Sequence, residues 1–122
     1  MADGRRAFGM AGEEAVVRWY RDAGYVVLDR NWRRHGLGEL DVIVAGGDTI
    51  VFCEVKTRRT DAFGTPAEAV TPTKQRRLRA LAVQWLAEHH DGRRAKGLRF
   101  DVAAVRPGPS GRLAVEVIEA AF

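Results

Sequence analysis

Cysteine is nearly absent from this chain. Its 122 residues include one, Cys53, so no internal disulfide can form. Cys53 sits in the apolar run Val51-Phe52-Cys53 with no activating partner nearby in sequence, which reads as a reduced core thiol rather than a nucleophile. Long apolar runs are also missing. None approaches the roughly 20 residues a helix needs to span a bilayer, and residues 1–12 lack the apolar core of a secretory signal. The expected compartment is the cytoplasm, with no membrane partner. No repeat, low-complexity tract or linker is present. Residues 1–122 therefore read as one domain, long enough to bury its own core. Lysine is scarce as well: of 20 basic residues only Lys56, Lys74 and Lys96 are lysines, leaving 17 arginines. The net charge is +4 and the pI about 9.8. Arginine's planar fork matches phosphate better than the point charge of lysine, so nucleic acid is the first partner to consider. An arginine excess alone also follows from genome base composition.

What is present reads as an α/β domain with a mixed sheet and flanking helices, in the order α-β-β-β-α-β-β. Residues 1–10 are polar and basic and are expected to be mobile. From Gly12 to Ala23, Val16, Trp19, Tyr20 and Ala23 recur at helical spacing and Gly24 stops the helix. Tyr25–Leu28 reads as a strand and Asp29–Leu37 as a polar connection. Strands are expected at about 39–45 and 50–57, around the hairpin signal Gly46-Gly47-Asp48-Thr49. Residues 58–70 form a loop of unusual length for a small domain, which hints at function. Thr71 as N-cap and Pro72 at the first helical position open a second helix. Its buried stripe is Leu78, Leu81, Ala82, Trp85 and Leu86, and it ends near His90. Strands at about 98–105 and 112–118 close the chain.

Centring the hairpin on Gly47-Asp48 makes facing residues sum to 95. Asp41 then faces Glu54 and Glu39 faces Lys56. These four share one face with Ile43, Ala45, Ile50 and Phe52, while Leu40, Val42, Val44, Val51, Cys53 and Val55 form an apolar opposite face. Two facing carboxylates about 5 Å apart repel by roughly 3 kcal/mol at an effective dielectric of 20. Folding alone gives no reason to place them there, whereas a divalent cation does. Mg²⁺ takes one or two carboxylates and completes its shell with water and phosphate. Lys56 points to the same side, suited to orienting water or neutralising transition-state charge. Glu13 heads the row Glu13, Val16, Val17, Tyr20 at the edge of the first helix's buried stripe and would serve as a third acid; Glu14 leads to the solvent side. The same residues would equally suit an exposed strand face and a dipole-favoured helix N-terminus.

Gly12-Glu13, Gly38-Glu39-Leu40-Asp41-Val42-Ile43, Val51–Arg58, Phe63–Val70 and Lys74-Gln75 together resemble the YraN-type bacterial proteins, over roughly residues 9–105. That family resembles Holliday-junction-resolvase-like members of the PD-(D/E)XK nuclease superfamily. The resemblance implies a restriction-endonuclease-like core. It also implies a Mg²⁺ (or Mn²⁺) site with Glu13, Asp41 and Glu54 as metal ligands and Lys56 as the catalytic lysine. Leu40 stands where the motif has proline. The expected activity is phosphodiester hydrolysis on DNA, by an endonuclease or exonuclease acting as monomer or homodimer. A non-catalytic nucleic-acid-binding module is the alternative, and a protein-interaction domain a third reading.

The basic residues Lys74, Arg76, Arg77 and Arg79 crowd the first turns of the second helix, where positive charge opposes the dipole, so a phosphate partner is expected, with a solvated face as the alternative. Arg33, Arg34 and His35 are expected to flank the same groove, and Arg58, also expected to bind nucleic acid, leads with Arg59 into the long loop. His35 lacks a second histidine nearby, and His89 and His90 decorate a helix end. Asp101 is a supporting or paired structural acid, and Trp19, Tyr20 and Trp85 sit at core positions.

Overall fold

The structure, a computed structural model, describes residues 3–60, 65, 67–89 and 95–122. Its elements follow in the order α1 (Asp3–Asp22), β1 (Val26–Arg34), β2 (Gly38–Gly46), β3 (Thr49–Thr57), α2 (Pro72–Glu88), β4 (Gly97–Pro107) and β5 (Leu113–Ile118), with a 3-10 turn at Ala67–Ala69. This is the expected α/β order. The strands lie side by side as β1-β2-β3-β4-β5. β3 and β4 are parallel and the other neighbours antiparallel. The sheet is mixed because the β3–β4 connection crosses over through α2, which returns the chain to the same end before β4 begins.

Local chemistry explains the elements that were legible. Gly46 pairs with Thr49 across the Gly47-Asp48 turn, and Gly47 takes φ 57°, a conformation that costs a residue without Cβ nothing. Thr71 caps α2 by accepting the Lys74 N–H at 3.2 Å. The two helices bury opposite faces of the sheet. Val16, Val17 and Tyr20 of α1 pack on Val42, Val44, Val51 and Cys53. Leu78, Leu81, Ala82 and Trp85 of α2 pack on Ile43, Ile50, Phe52 and Phe100. Among the described residues no helix is long and apolar enough to cross a membrane.

Three expectations change. The helix begins at Asp3 rather than Gly12, so residues 3–10, expected to be mobile, are helical; once Val16–Tyr20 fix the nucleus, adding turns costs little. β1 runs on through Arg34 instead of ending at Leu28. Its polar residues occupy an edge strand, which needs only one hydrogen-bonded neighbour, and a register shift between Val27 and Asp29 realigns it on β2. Leu40 packs in the α2 layer although Val42, two residues on, packs in the α1 layer. The alternation of faces along β2 therefore breaks at Asp41. Of the long loop, residues 61–64 and 66 lie outside the described residues, as does His90. α2 ends at Glu88, with His89 as its C-cap.

Candidate functional site

The β2–β3 ladder stops at Val42–Cys53. Beyond it β2 continues to pair with β1 as far as Gly38, and β3 with β4 as far as Thr57. The register is the expected one, but Asp41–Glu54 and Glu39–Lys56 are not ladder partners. The strands fork where the two acids would have met. The Asp41 carboxylate fills the fork, its Oδ2 accepting the Val55 N–H at 2.9 Å. Parting the strands avoids the direct facing pair but leaves Asp41 within reach of the Glu54 charge.

The acids, still close enough to line one small cavity, then meet different partners. Asp41 and Glu39 turn toward α1 and meet Glu13, the three offering carboxylate oxygens that all lie within 4.8 Å of one another. Glu54, 6% exposed, turns toward α2. There its Oε2 lies 2.5 Å from the Lys74 Nζ and 3.4 Å from the Lys56 Nζ. Glu13 thus faces the site as expected, while Glu14 pairs with Arg30 at 3.1 Å.

Crowding shows in the proton affinities. Burial, followed by the Glu54 charge, pushes the Asp41 carboxyl up to about 8, against the pull of the Val55 N–H; hydrogen bonding to Glu39 and the charge of Glu13 add to the rise. Burial also raises Glu13, offset in part by a hydrogen bond from Asn31, whose backbone sits at φ 50°. Burial and Lys74 lower Lys56. Burial acts to lower Lys74, but its bonds to Glu54 and Lys56 and the charges of Glu54 and Asp41 together outweigh it and leave the group raised.

Two residues stand in the site in roles the sequence did not suggest. Glu39 joins the acid cluster instead of pairing with Lys56. The alternation pattern did put it on the face of Asp41, so the signal existed. Lys74, expected at a phosphate, is bonded to Glu54; nothing local in the sequence marks this, since α2 meets Glu54 only through tertiary packing. Beside the cluster lies a groove of about 530 Å³ lined by Arg5, Arg6, Gly9, Met10, Glu13, Asn31, Arg33 and Glu39.

The other basic residues differ in their surroundings. Arg33 holds Glu39 at 2.5 Å. Arg34 pairs with Glu88 and lies 4.1 Å over the Trp32 ring. Arg76 and Arg77 are exposed, Arg76 donating to the Thr73 hydroxyl at 3.3 Å. Among the described residues, Arg58 keeps a buried Nη1 without a hydrogen-bond partner. Arg59 stacks over Phe8 at 4.2 Å.

Elsewhere the chemistry is structural. Asp101, 0% exposed, accepts from the Tyr20 hydroxyl at 2.6 Å, from the Arg99 Nε at 2.8 Å and from the Ala120 N–H at 3.0 Å, tying α1, β4 and the segment after β5 together. Cys53 is buried and free, and burial pushes its thiol up, away from nucleophilic use. His89 stacks on Trp85 and lies 3.6 Å from Asp29.

Comparison with known proteins is consistent along nearly the whole chain. The model of a family described as "Uncharacterised protein family UPF0102" matches residues 12–105. A UPF0102 protein of Rhodococcus opacus is 48% identical over 116 residues, covering 95% of this chain and 96% of the relative. One from Nocardia farcinica is 48% identical over 118 residues, 97% of this chain and 91% of the relative. One from Symbiobacterium thermophilum is 47% identical over 117 residues, 96% and 97% respectively.

Proposed function

The chain belongs to the UPF0102 family, and from the acids gathered at its strand fork we propose that it is a Mg²⁺- or Mn²⁺-dependent nuclease hydrolysing phosphodiester bonds in DNA, branched or single-stranded. The observation that carries this reading is Asp41. It is driven by burial and by Glu54 to a carboxyl that holds its proton near neutral pH, while Glu13 and Glu39 stand within 4.8 Å. Such crowding destabilises the fold and gains a purpose if a cation is to be bound. The donors are all carboxylate oxygens, the hard set that suits Mg²⁺ or Mn²⁺.

Glu13, Asp41 and Glu54, with Glu39 beside them, would hold the cation, which when bound supplies Lewis-acid activation of phosphate and water. The chain's own groups do the rest. Lys56, with its proton affinity lowered and Glu54 fixing its position, is suited to orient water or take its proton. Arg5, Arg6 and Arg33 line the adjoining groove with positive charge toward a phosphate backbone. Arg76 and Arg77, exposed on α2 at the opposite face of the sheet, carry positive charge there.

The second reading is a non-catalytic nucleic-acid-binding module. It is favoured by one observation: Glu54 is already neutralised by two lysines. Pure protein assayed on linear, nicked and branched DNA, in EDTA and in Mg²⁺ or Mn²⁺, separates the readings. A nuclease cleaves only with metal and loses cleavage in Asp41→Asn. A binding module binds DNA in a salt-sensitive way without cutting it. Failure of both would leave a protein-interaction domain.

A further inference from the structure

Glu54 is the least exposed acid of the candidate site, and it does not lie free for a cation. Its Oε2 is 2.5 Å from the Lys74 Nζ, closer than the 3.4 Å to Lys56, the lysine of its own strand. Lys74 comes from the first turn of α2, where no acidic residue stands. A carboxylate 6% exposed needs close polar or charged partners to offset its burial. Lys74 supplies one from α2, while Glu13, Glu39 and Asp41 form the neighbouring cluster. The two halves of the site therefore rest in different states. One is a group of acids in which Arg33 pairs with Glu39, the other an acid held between two lysines.

We propose that Lys74 is a placeholder for the divalent cation, and that metal binding is an exchange in which the Glu54 carboxylate passes from the Lys74 ammonium to the metal. The proposal rests on the metal-site reading above and adds to it the residue that opposes and positions the ligand. Lys74 is thus a positioning residue acting through Glu54. It keeps the fold whole without metal and sets the affinity at which metal enters. Lys56 stays beside Glu54 in both states, so the exchange releases one lysine and retains the other.

The test is a double-mutant cycle read by Mn²⁺ calorimetry and by metal-free urea midpoints. The proteins are the parent, Lys74→Met, Glu54→Gln, the double variant, and Lys74→Arg as the charge-conserving control. Lys74→Met is expected to bind Mn²⁺ roughly ten-fold tighter or more, the scale on which a charge-assisted hydrogen bond acts. It should also have a lower urea midpoint in EDTA and a larger recovery with Mn²⁺. Lys74→Arg should behave like the parent. In the Glu54→Gln background Lys74→Met should change Mn²⁺ affinity little, because the carboxylate that Lys74 held is gone. An equal gain in that background would mean that Lys74 acts only as a nearby charge, and would overturn the exchange. Parent-like affinity in Lys74→Met would overturn it too. Absence of Mn²⁺ binding in every protein would sink the metal site itself, a result distinct from binding that ignores Lys74.

Discussion

Replacing Asp41 by asparagine perturbs the fork at its most crowded atom. The folded carboxyl titrates at about 8, against 3.8 for an ordinary aspartate, raised first by burial and then by Glu54. Below pH 4 both folded and unfolded chains hold the proton and the group contributes no pH dependence. Between pH 4 and 8 the unfolded chain has released it while the folded chain still holds it. Stability therefore falls with rising pH, by up to about 1.4 kcal/mol per unit for this one proton. Above pH 8 both are ionised and the slope vanishes. By pH 7 the accumulated loss has an upper bound of about 4 kcal/mol, and sharing of the proton with Glu39 and Glu13 brings the expected value to about 2–4 kcal/mol. Asparagine keeps the oxygen that accepts the Val55 N–H. Its amide can donate to Glu39, and it cannot ionise. The variant should match the parent near pH 4 and exceed it at pH 7. The gain corresponds to about 1–2 M in urea midpoint for a slope near 2 kcal/mol per molar. Urea titrations in EDTA at pH 4, 5.5, 7 and 8.5 measure it. Parallel pH profiles for the two proteins, or a lower midpoint for the variant at pH 7, would refute the reasoning and make Asp41 a structural acid.

Lys56→Ala should leave Mn²⁺ affinity near that of the parent and lower turnover on DNA by roughly a hundred-fold or more, as loss of a proton-transfer group does; unchanged turnover would remove Lys56 from the chemistry. Alanine at both Arg76 and Arg77, exposed while Leu78 and Leu81 stay buried, should spare the fold and reduce the salt slope of DNA binding by about 0.9 per lost phosphate contact. An unchanged slope assigns them to a solvated face. Gly12→Ala should destabilise by about 1–3 kcal/mol, because the new Cβ would overlap the Thr57 side chain, although a helical glycine-to-alanine change ordinarily stabilises by about 1 kcal/mol. Pairing it with Thr57→Ala should recover part of the loss in thermal melts, and no recovery would argue against the contact.

What was legible in the sequence follows from short-range chemistry. The Gly47-Asp48 turn and the period of two along its flanks set the β2–β3 register. Thr71-Pro72 set the start of α2. What was not legible depends on partners far along the chain. β1 looked like a loop from Asp29 on because Arg30, Arg33 and Arg34 are poor strand formers, yet β2 offers a hydrogen-bonding edge that overrides propensity. The fork is a competition between ladder bonds and charge, decided in part by β4, whose pairing holds β3 straight as β2 departs.

The candidate site shows the same division. The hairpin pattern suggested a facing Asp41–Glu54 pair, but the ladder ends one residue before it. The fold neutralises each acid separately: Asp41 by a proton, Glu54 by Lys74 and Lys56, Glu39 by Arg33. A cation that binds here would compete with what already holds the acids. At Asp41 the competitor is a proton, since a carboxyl must ionise before it ligates. With that carboxyl near 8, Mn²⁺ affinity should rise by up to about ten-fold per pH unit from pH 6 toward 8 and then level off. In Asp41→Asn the dependence should flatten. Calorimetry at pH 6, 7, 8 and 9 measures both. An affinity that ignores pH over this range in the parent would mean that Asp41 is not a ligand, and that any cation the chain takes is held by the remaining acids alone.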